Sequence, residues 1–152
     1  MKILIVEDDG NKLRALQRLV VTEFPDVELD IARSVISGVS HAKRLRPDMV
    51  LLDMTLPSYD QSALDDGGGM EWFGGVEFLK QMKRFRLEPT VLIVTQFETF
   101  GEDEALKTRE QLAKELECQF PMTFAGMLHY HASLEEWSSK LIEFIGSLHG
   151  KA

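Results

Sequence analysis

Three acids stand in a row at Glu7-Asp8-Asp9, directly behind the apolar run Ile3-Leu4-Ile5-Val6. A fourth, Asp53, closes the run Met49-Val50-Leu51-Leu52 in the same way. If the two runs are neighbouring strands, these carboxylates meet at one rim. Left unpaired in a partly buried site they would repel one another. A hard divalent cation resolves the conflict, and oxygen-only ligands with one or two carboxylates suit Mg²⁺. The plainer reading, that Asp8 and Asp9 only cap a helix, is disfavoured because Asn11 can serve as that cap and Asp53 repeats the pattern elsewhere. A third apolar run, Thr90 to Thr95, ends in a hydroxyl.

The elements that would position these groups alternate. Strands are expected at 2–6, 27–31, 49–53, 90–95 and, more weakly, 122–130. Helices are expected from Asn11 to about Phe24, from about Ser34 to Leu45, and from about Val76 to just before Pro89. Two more follow, from Gly101 to Glu117 and from Ser133 to Leu148, the last opened by a Ser133/Glu136 capping box. Apolar strands alternating with helices imply an α/β fold: a doubly wound five-stranded parallel sheet flanked by five helices. Chemistry in such sheets sits at the carboxyl ends of the strands. That rule selects Glu7, Asp8, Asp9, Asp53, Thr95 and the end of the last strand.

The segments KILIVEDD (2–9), RPDMVLLDMTLP (46–57), GGVEFL (74–79) and VLIVTQ (91–96) resemble the receiver domains of bacterial two-component response regulators, CheY-like proteins. The resemblance implies that Asp53 is the phosphoacceptor, taking a phosphoryl group from a histidine kinase. It makes Glu7 and Asp8 the acidic pair, with Asp8 the more direct Mg²⁺ ligand. It has Thr55 offering its backbone carbonyl to the metal. Thr95 would be the hydroxyl that binds the phosphoryl oxygens and couples the site to a loop movement. The family is one of phosphoacceptor domains, capable at most of self-phosphorylation and self-dephosphorylation, and not of enzymes.

Three departures from the family pattern stand out. Receivers carry a lysine and then a proline at the end of the fifth sheet strand; here Tyr130 and His131 fall there, or His129 in a register shifted by one, and the nearest lysine is Lys140. The residue that would act as the switch aromatic near that strand is open among Tyr130, Phe124 and Leu128. The segment 58–73 is an insertion, with a triple glycine and the aromatic pair Trp72-Phe73. Asp60, Asp65 and Asp66 within it lack calcium-loop spacing. The stretch 97–121 is lengthened and strongly charged.

The chain of 152 residues carries 17 Lys+Arg against 25 Asp+Glu, a net charge of −8. The length suits one domain over 1–150. The acidic balance disfavours nucleic acid as a partner. No apolar run approaches a membrane span, and nothing resembles a signal peptide. One cysteine, Cys118, excludes an internal disulfide. A cytoplasmic, stand-alone receiver is therefore expected. Its partners would be a sensor histidine kinase or phosphotransfer protein, docking near Lys12, Arg14 and Arg18, and an unknown downstream protein. Homodimerisation is left open. The alternative is an atypical receiver that binds its partner regardless of phosphorylation. A flavodoxin-type cofactor site is disfavoured because Glu7-Asp8-Asp9 would repel a phosphate. A haloacid-dehalogenase-like phosphatase is disfavoured because position 55 is Thr and not a second Asp.

Overall fold

The structure, a computed structural model, describes residues 1–60, 71–133 and 135–150. The elements run β1 (Lys2–Val6), α1 (Gly10–Glu23), β2 (Glu28–Ala32), α2 (Val35–Leu45), β3 (Met49–Leu52), α3 (Gly74–Arg84) and β4 (Thr90–Thr95). There follow β5 (Thr99–Phe100), a 3₁₀ turn at Asp103–Ala105, β6 (Lys107–Thr108), α4 (Arg109–Gln119), β7 (Phe124–His129) and α5 (Glu136–His149). Strands β2-β1-β3-β4-β7 form one sheet in that order, and all four pairings are parallel. None of the described helices is long and apolar enough to cross a membrane.

Both faces of the sheet are covered because each strand alternates its apolar side chains between two cores. Leu4, Val6, Val50, Leu52, Val91 and Ile93 pack with α2, α3 and α4 through Ala42, Phe78, Met82 and Leu116. Ile3, Ile5, Met49, Leu51, Leu92 and Val94 pack with α1 and α5 through Leu16, Val20, Leu141 and Ile145. The period of two along each strand thus sorts the apolar residues between the two helical layers.

The last third of the chain departs from the sequence expectation. The segment from Gly101 is not one helix. Thr99 and Phe100 pair antiparallel with Thr108 and Lys107, and α4 starts only at Arg109. A capping box explains that start: the Thr108 hydroxyl accepts from Gln111 N, while the Gln111 side chain accepts from Thr108 N. Phe100 is fully buried and ties the ribbon to the core. The Ser133/Glu136 box does not form. Ser133 hydrogen-bonds His131 Nδ1 instead, at 2.9 Å between Oγ and the ring, and α5 opens at Glu136 without a side-chain cap.

The insertion lies partly outside the described residues, which include neither Asp65, Asp66 nor the triple glycine. Its two described flanks meet, with Ser58 Oγ donating to Glu71 Oε2 at 2.9 Å. Trp72 stacks edge-on against Phe97, ring centroids 5.6 Å apart, and both pack on the core with Phe73. Asp60 accepts from Ser37 Oγ at 2.7 Å. The Ser34 and Ser37 hydroxyls hold its carboxyl below the usual carboxylate range.

Candidate functional site

The register of β1 against β3 aligns Val6 with Leu52, so the next residue of each, Glu7 and Asp53, emerges side by side at the sheet's carboxyl edge. Backbone bonds hold both ends: Asp53 N donates to Val6 O at 2.9 Å, and Glu7 N to Ala32 O at 3.0 Å. Both residues are buried, at 1% and 6% exposure.

What meets them is Lys12. Its ammonium lies 2.6 Å from Glu7 Oε1 and 3.3 Å from Asp53 Oδ1, and the residue is only 2% exposed. The expectation that Lys12 joins Arg14 and Arg18 in a docking surface is therefore corrected, because Lys12 is buried. In α1, Lys12 stands one turn before Leu16 and two before Leu19, in line with the buried stripe. The sequence signal was there, as a lysine in an apolar stripe one turn behind an acidic pair. A buried ammonium is tolerated only when paired, and here two carboxylates share it. Burial acts to lower the Lys12 pKa, but Asp53 and Glu7 outweigh it and hold the group above its ordinary value.

Glu7 is the strained partner. Burial pushes its carboxyl up to about 8, Lys12 opposing and Asp53 adding to the rise. Oε2 accepts from Asp9 N at 3.0 Å. Oε1 lies 2.6 Å from the Lys12 ammonium, and among the described residues no other donor reaches it. A stability prediction follows. A carboxyl whose folded pKa exceeds its unfolded one binds its proton more tightly when folded, so Glu7's contribution to stability is fully present below about 4.5 and is lost as pH rises through about 8. In EDTA, Glu7→Gln is expected to flatten the pH dependence of the melting temperature across that window. An unchanged slope would count against the assignment.

Asp8 sits at the mouth, less buried than Glu7. Burial raises its pKa, Arg33 opposes, and Asp53 adds to the rise. Arg33 also donates to Asp8's backbone oxygen at 3.0 Å. Asp9 and not Asn11 caps α1, its Oδ1 accepting from Asn11 N. Thr55 approaches Asp53 through its backbone N and Oγ1 at 3.4–3.5 Å, contacts at the weak limit of a hydrogen bond. Thr95 is fully buried, and its Oγ1 accepts from Phe97 N at 3.1 Å.

At the far side of the rim, β7 pairs His129 with Thr95, and Tyr130 N donates to Thr95 O at 2.8 Å. Tyr130 is buried in the core that α1 shares and packs on Trp137, centroids 4.9 Å apart. Burial raises its phenol, with Asp9 adding and Lys12 opposing. Phe124 and Leu128 are buried as well. Lys140 is committed to Glu136 at 3.1 Å.

The local set is therefore three carboxyl groups, Glu7, Asp8 and Asp53, around one ammonium. The candidate ligand atoms are oxygens only, and one of them, Glu7 Oε1, is buried with no donor but the Lys12 ammonium near it among the described residues; this chemistry fits a hard divalent cation. Among the described residues no three acidic, His or Cys side chains are already gathered around a metal position.

No family model matches the chain. The protein y4jR of Sinorhizobium fredii, itself called uncharacterized, is 35% identical over 93% of this chain and 94% of its own. The Detocs response regulatory protein DtcB of Enterobacter cloacae is 30% identical over 97% of this chain and its whole length. The chain belongs to the response-regulator receiver family. Its fold is that of CheY-like receivers. A solved CheX–CheY–BeF₃–Mg²⁺ complex from Borrelia burgdorferi overlays with a TM-score of 0.67 at 18% identity, covering 98% of this receiver and 89% of the solved chain.

Proposed function

We propose that this receiver accepts a phosphoryl group on Asp53 from a histidine kinase or phosphotransfer protein, with Mg²⁺, and signals by contact with another protein. The reading is carried by one observation: the β3-end carboxylate is buried beside a second acid and an ammonium, in a chain of the receiver family. An Asp53 oxygen attacks phosphorus; the new O–P bond forms as the N–P bond of the phosphohistidine breaks, and the electron pair stays on the ring nitrogen. Asp8 and Asp53, with the Thr55 backbone carbonyl and Glu7 behind them, are the residues that would hold the metal. When bound, Mg²⁺ offsets charge on the carboxylate and phosphoryl oxygens. The Borrelia CheY complex, which contains Mg²⁺, supports that choice by analogy of fold. Thr95 can accept from Phe97 N while its own proton turns to a phosphoryl oxygen, which links the modification to the segment 96–100.

The test is incubation with acetyl phosphate and Mg²⁺, followed by intact mass and peptide mapping. A phosphoryl increment on the peptide containing Asp53, reduced by EDTA, is the expected result. No increment, with a known receiver reacting in parallel, would sink the reading in favour of phosphorylation-independent binding.

A further inference from the structure

Resting on that reading, we propose that Lys12, carried by α1, is the cation that meets the phosphoryl group on Asp53, in place of a lysine on the last sheet strand. Residues 128–131 are Leu-His-Tyr-His, so β7 brings no permanent cation to the rim. Side-chain alternation gives Leu128 and Tyr130 the face toward α1, and Tyr130 fills that place with a neutral phenol packed on Trp137. Lys12 reaches Asp53 from α1 instead, at 3.3 Å. Among the described residues it is the basic side chain in contact with Asp53.

The geometry suits a working group better than an inert ion pair. The ammonium sits close to Glu7 and farther from Asp53, 2.6 against 3.3 Å. Phosphorylation converts a singly charged carboxylate into an acyl phosphate with more negative charge and three more oxygens, which draws the ammonium from Glu7 toward Asp53. Glu7 in this scheme parks the lysine between phosphorylations. Because Lys12 is buried, little rearrangement is needed when the charge arrives.

The experiment compares wild type, Lys12→Met, Lys12→Arg and the double variant Lys12→Met/Tyr130→Lys. Each is phosphorylated with acetyl phosphate and Mg²⁺ and followed by intact mass, with thermal melts on the same samples. The O–P bond to acetate breaks and acetate leaves with the pair, so no other donor enters. Loss of one preorganised charged donor should slow phosphorylation of Lys12→Met roughly a hundredfold. Lys12→Arg should keep part of the rate, and the double variant should regain most of it by supplying the cation from β7. A folded Lys12→Met that reacts at the wild-type rate, and whose acyl phosphate decays at the wild-type rate, overturns the proposal and leaves the phosphoacceptor reading intact. A wild type that takes no phosphoryl group overturns both. Should the Lys12 variants not fold, lysine-selective NMR of the wild type decides. The Lys12 ε-methylene resonance is expected to move when beryllofluoride and Mg²⁺ are added, and a resonance that stays in place overturns the proposal.

Discussion

Asp53→Asn is expected to lose the whole phosphoryl increment while remaining folded. The two halves of this result have separate causes. Asparagine nearly matches aspartate in shape, but its amide is not a nucleophile of comparable strength, so acceptance stops. The fold survives because Lys12 keeps its nearer partner: Glu7 is 2.6 Å from the ammonium, and Asp53 is 3.3 Å away. Breaking a buried pair costs about 3–5 kcal/mol when it strands a charge. Here the ammonium stays paired, and the amide oxygen can still accept from it. The stability change should stay within about 1 kcal/mol. Asp53 also helps to raise the Glu7 carboxyl, so the fall in stability toward pH 8 should be shallower in this variant. A melt that collapses would show that Asp53 is a structural counter-ion first.

The second large effect is expected at Gly74. A Cβ built there would stand 2.2 Å from Leu56 O, and one at Gly75 would stand 2.9 Å from Asp53 O. The first turn of α3 therefore lies directly on the backbone that follows Asp53. A hydrogen bond from Gly75 N to Met54 O, at 2.8 Å, holds it there. Gly74→Ala cannot be relieved by turning a side chain, because the obstacle is a carbonyl. The helix or the loop must move, at a cost of about 3 kcal/mol. For a chain of this size that lowers Tm by roughly 6–12 °C. Phosphorylation should slow as well, since residues 54–56 carry Thr55. A variant that melts with the wild type would refute the close approach.

These two glycines illustrate how much was readable beforehand. The sheet was legible because its strands are apolar on both faces and end in polar groups; the strand order then follows from ordinary winding. The meeting of Glu7 and Asp53 was legible for the same reason. The place of Lys12 is harder to read because its charge suggests a polar face, yet it lies on the stripe of Leu16 and Leu19, where a lysine signals a buried partner. The ribbon at 99–108 is masked in the sequence by the acids at 102–104, which look like a helix N-terminus, while the true cap, Thr108 with Gln111, lies further on. The supposed cap at Ser133 failed because a histidine two residues back competes for the hydroxyl.

The flanks of the insertion carry one more consequence. Pro57 O and Ser58 O accept from Val35 N and Ile36 N, and Ser58 also binds Glu71. Both flanks are thus fixed to the body of the protein and to each other, whatever joins them. Each flank also keeps an anchor of its own, Pro57 O on Val35 N on one side and Trp72 against Phe97 on the other. The two ends are moored separately, so Ser58→Ala, which removes only the tie between them, should leave the melting temperature nearly where it was.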